Sequence, residues 1–172
     1  MTAQDEALQF SIALNVTIRP ARYDDIAKLE WYGQFKHFRR LFQRAYREQV
    51  AGRRLLLVAD SNGFPVGRLF LQFRSKSKRA SDGKTKAYLY SFHIMEMMRG
   101  YGIGNRMMDV AEAILIERNF KIATIAVAKV NQGALRLYQR RGYKIFEEDE
   151  GKWRYYDHRG QLQHVHEPRI ST

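Results

Sequence analysis

The sequence predicts a mixed α/β (α+β) domain, and three stretches carry that reading. Leu55-Leu56-Leu57-Val58-Ala59 and residues 66–73 are apolar, strand-like runs on either side of Asp60-Ser61-Asn62-Gly63. Asn-Gly accepts the positive φ of a tight hairpin, so the two runs pair antiparallel. Tyr88, Tyr90, Phe92 and Ile94 alternate with Leu89, Ser91 and His93, the period of a strand rich in aromatic and branched residues. After a glycine-dense turn, Ile103, Met107, Val110, Ala111, Ile114 and Leu115 recur at helical spacing, with Arg106, Asp109, Glu112 and Glu117 mostly on the other side. A chain of 172 residues supports one such domain with a real core and is too short for two comfortable ones.

Taken in order, residues 1–15 read as a loosely held arm, in which the alternating Leu8, Phe10, Ile12 and Leu14 can also make a short edge strand. Val16-Thr17-Ile18-Arg19 is a short strand stopped by Pro20. Asp24 or Asp25 caps a helix with Ile26, Leu29, Trp31 and Tyr32 on its apolar side. The next helix turns Phe38, Leu41, Phe42, Ala45 and Val50 inward and Arg39, Arg40, Gln43, Arg44 and Arg47 outward. The hairpin follows, then a basic loop over 74–86 without periodicity. Asn119 is a stop for the long helix, and residues 121–127 make a buried strand. Asn131 caps a short helix that carries Leu137 and Tyr138 on one side and ends at a left-handed Gly142. Residues 143–146 and 153–156 read as a last hairpin around Glu147-Glu148-Asp149-Glu150-Gly151, and beyond Gly160 no helix or strand pattern is visible. The resulting division is an arm over 1–15, a domain over 16–157 and a tail over 158–172.

Hydrophobic residues at 45% and a mean hydropathy of -0.52 fit a soluble globular protein. No apolar run approaches the roughly 18 residues of a membrane span, so no membrane association is expected. The acidic start Met1-Thr2-Ala3-Gln4-Asp5-Glu6 lacks the features of a secretory signal. The absence of cysteine excludes disulfides and thiol chemistry and agrees with a cytoplasmic location. Thirty Lys and Arg against 18 Asp and Glu give a formal charge of +12, which attracts polyanions. That charge suits an anionic cofactor, a nucleic acid or plain solvated surface, with nucleic acid the less favoured reading, and it is spread along the chain. His164 and His166 could hold a metal adventitiously, yet two surface histidines alone do not make a site, and no metal is expected.

The chemistry gathers at Met98-Arg99-Gly100-Tyr101-Gly102-Ile103-Gly104-Asn105. Glycines at alternate positions let the backbone turn sharply and approach a ligand closely. The helix that begins there offers unpaired N–H groups and a positive dipole end to an anion. The spacing does not fit the dinucleotide fingerprint G-x-G-x-x-G, and the P-loop lysine and hydroxyl residue are missing. On the glycines alone, an ordinary strand-to-helix turn explains the stretch as well as a phosphate cradle does.

The longer pattern resembles the GNAT superfamily of acetyl-CoA-dependent N-acetyltransferases. Its cofactor motif R/Q-x-x-G-x-G/A reads here Arg99-Gly100-Tyr101-Gly102-Ile103-Gly104, with Glu96 where a proline is common. A second family signature, N-x-x-A-x-x-L-Y-x-x-x-G-Y, is matched by Asn131, Ala134, Leu137, Tyr138, Gly142 and Tyr143. The resemblance covers roughly residues 16–157. It implies a mixed, mostly antiparallel sheet flanked by helices and splayed open after the cofactor strand. It also implies that Phe92, His93 and Ile94 pair their backbone with the pantetheine arm of acetyl-CoA, that residues Gly100 to Asn105 with Arg99 hold the pyrophosphate, and that Asn131 touches the cofactor beyond the sulfur. Tyr138 stands at the family's general acid: a phenol of pKa about 10 stays protonated at neutral pH and can serve a thiolate of pKa about 8.5.

No base is assigned. Where protein-acetylating relatives can carry a glutamate this chain has Ala126, and His93, Glu96 or relayed water remain open. The expected activity is N-acetyl transfer by direct attack of a primary amine, either a small cationic amine or a peptide or protein amine. The four acids over 147–150 would favour a cationic one unless they are only a solvated hairpin tip. The alternative is a basic nucleic-acid- or protein-binding module on the same scaffold without catalysis. Either a monomer or a homodimer is compatible with the sequence.

Overall fold

The computed structural model describes residues 7–75 and 81–172. The chain runs β1 (Thr17–Pro20), α1 (Tyr23–Lys28), α2 (Arg39–Val50), β2 (Arg54–Ser61), β3 (Phe64–Gln72), β4 (Lys86–Ile94), α3 (Ile103–Glu117), β5 (Ile122–Ala128), α4 (Gln132–Arg140), β6 (Glu147–Asp149), β7 (Lys152–Tyr156), β8 (Leu162–His166) and β9 (Arg169–Ser171). Seven strands form one sheet in the order β1-β2-β3-β4-β5-β9-β6, while β7 and β8 pair separately. Within the large sheet every described pairing is antiparallel except β4 with β5.

Local chemistry sets these elements. Asn62 and Gly63 take φ 53° and 83°, so the tight turn brings Ser61 opposite Phe64. The β2 and β3 strands are buried along almost their whole length, which matches their unbroken apolar runs and their central place in the sheet. Period 2 then divides the residues between two layers. Leu55, Leu57, Leu69, Leu71 and Leu89 pack with Met107, Met108, Ala111 and Leu115 of α3 and with Leu135 and Tyr138 of α4. Leu56, Val58 and Phe70 face Ile26, Leu29, Phe42 and Ala45 on the α1–α2 side.

Several sequence expectations change. The arm over 7–16 carries no helix or strand, with Leu8, Phe10, Ile12 and Leu14 exposed, so no edge strand forms there. Residues 1–6 lie outside the described residues, as do Lys76, Lys78 and Arg79 of the basic loop. Asp25 is not the N-cap of α1: it sits at the third helical position and accepts from the Arg22 N–H at 2.7 Å, while Arg19 grips both its oxygens at 2.7 and 3.0 Å. The helix ends at Lys28, so Trp31 and Tyr32 lie beyond it with φ 44° and 57°; Trp31 is buried and Tyr32 is exposed. Val50, at the end of α2, is exposed.

The largest correction is at the C-terminus. Residues 143–146 carry no strand, β6 pairs with β9, and β7 pairs with β8 rather than with 143–146. The segment beyond Gly160 thus supplies two strands, one of which lies between β5 and β6 in the main sheet. The short runs Leu162–His166 and Arg169–Ser171 are shaped by partners distant in sequence, which is why their own composition gives no strand signal.

Candidate active site

The parallel pairing of β4 with β5 runs from Lys86 opposite Ile122 to Leu89 opposite Ile125 and then stops. Beyond that point β5 pairs Ala126 to Ala128 with β9, and β4 continues alongside β3 alone. The sheet therefore splits after Leu89, leaving the β5-facing edge of Tyr90 to Ile94 with open backbone donors and acceptors. A register shift between Arg68 and Phe70, opposite a left-handed Ser91 (φ 53°), bends β4 at the same place. Phe92, His93 and Ile94 all lie on this bent segment.

From Ile94 the chain makes a short 3-10 turn over Glu96–Met98 and enters α3. Gly102 is the N-cap of α3 with φ 81°, and Gly100 has the same φ; a Cβ at either would meet nothing within 4 Å. These glycines are required by backbone conformation, and the space beside them is open to a ligand. Gly104 differs, since a Cβ there would meet the Phe92 ring at 3.3 Å, so it serves the close approach of α3 to β4. Arg99 donates from Nε to the Ile94 carbonyl at 3.0 Å and fixes the turn. Tyr101 projects into solvent, and the Ile103 side chain is buried in the core, which leaves its backbone facing the helix end. Asn105 accepts from Arg141 Nη1 through both its carbonyl and its Oδ1, at 3.4 and 3.3 Å.

Asn131 caps α4, its Oδ1 accepting from the Ala134 N–H at 3.1 Å. About two turns further, Tyr138 is 3% exposed, and its ring centroid lies 6.4 Å from that of Phe92 and 6.1 Å from that of Tyr143. Burial, with a smaller effect of the nearby Tyr88 phenol, pushes the Tyr138 pKa well above its ordinary value. Its hydroxyl forms no hydrogen bond with the described residues, and the raised pKa keeps the phenol protonated at neutral pH.

The other face of the split is aromatic. His93 is exposed, its ring 5.4 Å from Phe35. Desolvation by its surroundings, together with the cations of Arg68 and Arg99, lowers its pKa to about 4, so the imidazole is neutral near pH 7. Glu96 is exposed in the turn beyond the strand. The β7–β8 hairpin closes over the end of this face: Phe38 lies 5.1 Å from Tyr155 and 6.1 Å from Trp153, and His37 lies 6.2 Å from Tyr155. The acids once read as a hairpin tip are engaged, with Glu148 on Lys129, Asp149 on Arg169 and Glu150 on Lys152.

Sequence reasoning singled out neither Arg68 nor Arg141. Arg141 ties α4 to α3 through Asp109 at 2.6 Å and Glu112 at 2.8 Å, while in the sequence it reads only as half of a basic pair. A separate cavity of about 490 Å³, lined by Lys86, Lys121, Thr124, Tyr143 and Lys144, opens at the starts of β4 and β5, the end opposite the split. Among the described residues no cluster of three potential metal ligands occurs and no helix is long and apolar enough to cross a membrane.

The acetyltransferase (GNAT) family profile matches residues 21–143. No match was found among curated proteins. Among solved structures, NAA60 of Arabidopsis thaliana in complex with acetyl-CoA superposes with a TM-score of 0.66 at 17% identity, covering 91% of this chain and 96% of that one. Arabidopsis thaliana Naa50 in complex with the bisubstrate analogue CoA-Ac-MVNAL gives 0.62 at 16% identity, with 91% and 97% covered. Ard1 of Thermoplasma volcanium gives 0.64 at 20% identity, with 91% and 96% covered. At these identities the likeness is one of fold.

Proposed function

The chain belongs to the GNAT family of acetyltransferases, and from that premise we propose that it transfers the acetyl group of acetyl-CoA to a primary amine by direct attack at the split between β4 and β5. The observation that carries this reading is the coincidence, at one place, of open backbone on the bent β4, a helix N-terminus capped by the left-handed Gly102, and the unengaged Tyr138 phenol. The backbone of Phe92 to Ile94 would hold the pantetheine arm, the N–H groups over Gly100 to Asn105 the pyrophosphate, with Arg99 bracing the turn and Asn131 flanking the cofactor.

In the transfer, the neutral amine nitrogen attacks the thioester carbon, the N–C bond forms, and collapse of the adduct breaks the C–S bond. Tyr138 would give its proton to the departing sulfur, and the ammonium proton leaves to water in the open split. A lysine-like amine, pKa about 10.4, is almost wholly charged at neutral pH, whereas an α-amine near 8 is roughly a tenth neutral. With Ala126 in place of a carboxylate base, the chemistry favours an acceptor amine of low pKa.

Gly102→Glu tests the cofactor site, because it places bulk and a negative charge at the helix N-terminus. Acetyl-CoA binding, followed by calorimetry on folded protein, should be lost in this variant and kept by the wild type. Undiminished affinity in Gly102→Glu, or no affinity in the wild type, overturns the reading.

A further inference from the structure

Arg68 on β3 is 1% exposed, and no carboxylate of the described residues pairs with it. Its Nε donates to Ser91 Oγ at 3.0 Å, but Nη1 is buried without a partner. Its guanidinium carbon lies 4.3 Å from the ring centroid of Phe35, 4.9 Å from that of Trp31 and 5.1 Å from that of Phe42. Ring faces offset the charge of a desolvated cation but offer no lone pair to an N–H. Buried donors are nearly always paired, and a buried cation without a counter-ion is costly, so this arrangement calls for a missing anionic partner. Burial lowers the pKa only to about 9, which leaves Arg68 cationic at neutral pH.

Its location says where that partner comes from. Arg68 pairs in register with His93, and Ser91, its hydrogen-bond partner, is the left-handed residue that bends β4 at the split. The half-buried Phe35 ring touches both the guanidinium and the accessible His93 ring, so it stands between the cation and the open surface. Trp31 is fixed by its Nε1–H bond to the Pro65 carbonyl at 2.8 Å. The following Tyr32 and Gly33 continue the left-handed backbone of Trp31, with φ 57° and 96° against 44°. Trp31 and Tyr32, which have side chains, hold this conformation only because their surroundings fix it.

We propose that Arg68 binds a carboxylate carried by the amine that the enzyme acetylates, which makes the acceptor an amino-carboxylic acid. This rests on the N-acetyltransferase reading and deepens it. The Phe35 ring turns aside, the carboxylate oxygens accept from the unpaired guanidinium edge, and the amine of the same molecule extends past His93 to the split. A small planar carboxylate matches a fork flanked by three aromatic rings better than a bulky tetrahedral phosphate does. The acids over 148–150, each held by a basic side chain, do not oppose such an acceptor.

The test is a panel of free amino acids and their carboxamides, with acetyl-CoA and the full chain, comparing wild type with Arg68→Met, Arg68→Lys and Ser91→Ala. A charge-assisted pair of this type is worth on the order of 10- to 100-fold in kcat/KM. The wild type should prefer at least one free acid over its carboxamide by that factor. Arg68→Met, whose apolar side chain suits the three rings, should erase the preference, and Arg68→Lys should recover part of it. Ser91→Ala should keep it, because the guanidinium stays. Equal use of acid and carboxamide by the wild type, failure of every free acid, or equal losses on acid and carboxamide in Arg68→Met overturns the proposal. Calorimetry with acetyl-CoA separates the two readings: cofactor binding without acid preference refutes only the Arg68 site, whereas absence of cofactor binding refutes the transferase itself.

Discussion

Replacing Tyr138 with phenylalanine removes one oxygen and almost nothing else. The ring, 3% exposed and set between Phe92 and Tyr143, keeps its packing. The hydroxyl has no hydrogen-bond partner among the described residues, so its loss should change folding stability by less than about 1 kcal/mol. The rate should respond quite differently. A positioned proton donor contributes about 100- to 10,000-fold, or roughly 2.7 to 5.4 kcal/mol at 1.36 kcal/mol per factor of ten. Burial raises the Tyr138 pKa, so the phenol stays protonated to higher pH than a free tyrosine. The wild-type rate should therefore show no alkaline fall from this group below its ordinary pKa of about 10. Release of the free thiol measures turnover, calorimetry measures acetyl-CoA affinity, and thermal denaturation checks the fold. A fall in kcat of about 100-fold with unchanged cofactor affinity and unchanged melting is the expected pattern. Wild-type turnover in Tyr138→Phe would return the residue to core packing and leave the departing sulfur without an assigned donor.

Two further expectations concern the scaffold. Gly151 has φ 60°, and a Cβ there would overlap the backbone carbonyl oxygen of Glu167, so Gly151→Ala should cost about 3 kcal/mol in denaturant unfolding. Gly63→Ala, with φ 83° and open space around it, should cost only about 1 to 2 kcal/mol, and equal losses in the two variants would mean that the turn before β7 relaxes freely. Burial would raise the Asp25 pKa, but the Arg19 fork and the Arg22 N–H outweigh it and hold the carboxyl below its ordinary 3.8. Its stabilisation is complete above that value and fades as pH falls through the folded one, so acid unfolding should lose this dependence in Asp25→Asn, at a cost of about 3 kcal/mol at neutral pH. Parallel acid-unfolding curves for the variant and the wild type would contradict it.

What the sequence disclosed depended on the range of the interactions involved. The Asn62-Gly63 hairpin, the capped helix after Asn131 and the glycine turn into α3 are local devices, each specified within a few residues, and each stands where its chemistry placed it. Asp25 takes part in the capping but stands three positions beyond the N-cap, where the Arg19 guanidinium and the Arg22 N–H converge on it. Arg68 looks like an ordinary member of a strand. Only the three rings arriving from the α1–α2 segment isolate it from other charges.

The C-terminal strands change the electrostatic argument as well as the topology. Read as a free hairpin tip, the four acids over 147–150 are a cationic lure in a chain of charge +12. In the fold, β6 is the edge strand of the main sheet: it pairs with β9, and that register sets Asp149 opposite Arg169, which grips its two oxygens at 3.1 and 3.2 Å. Glu148 reaches Lys129 at the end of β5 and Glu150 reaches Lys152 at the start of β7. Such pairs are largely neutral at a distance, and solvent screens what remains beyond roughly 10 Å. The buried Arg68, with no carboxylate partner among the described residues, keeps a field that is little screened because three rings exclude water from it. A cationic acceptor entering the split would meet that field as repulsion, and an acceptor bearing a carboxylate would meet it as attraction. Salt should therefore weaken the preference for a carboxylate only slightly, whereas a preference set by exposed acids at the surface would fade over the same range of ionic strength.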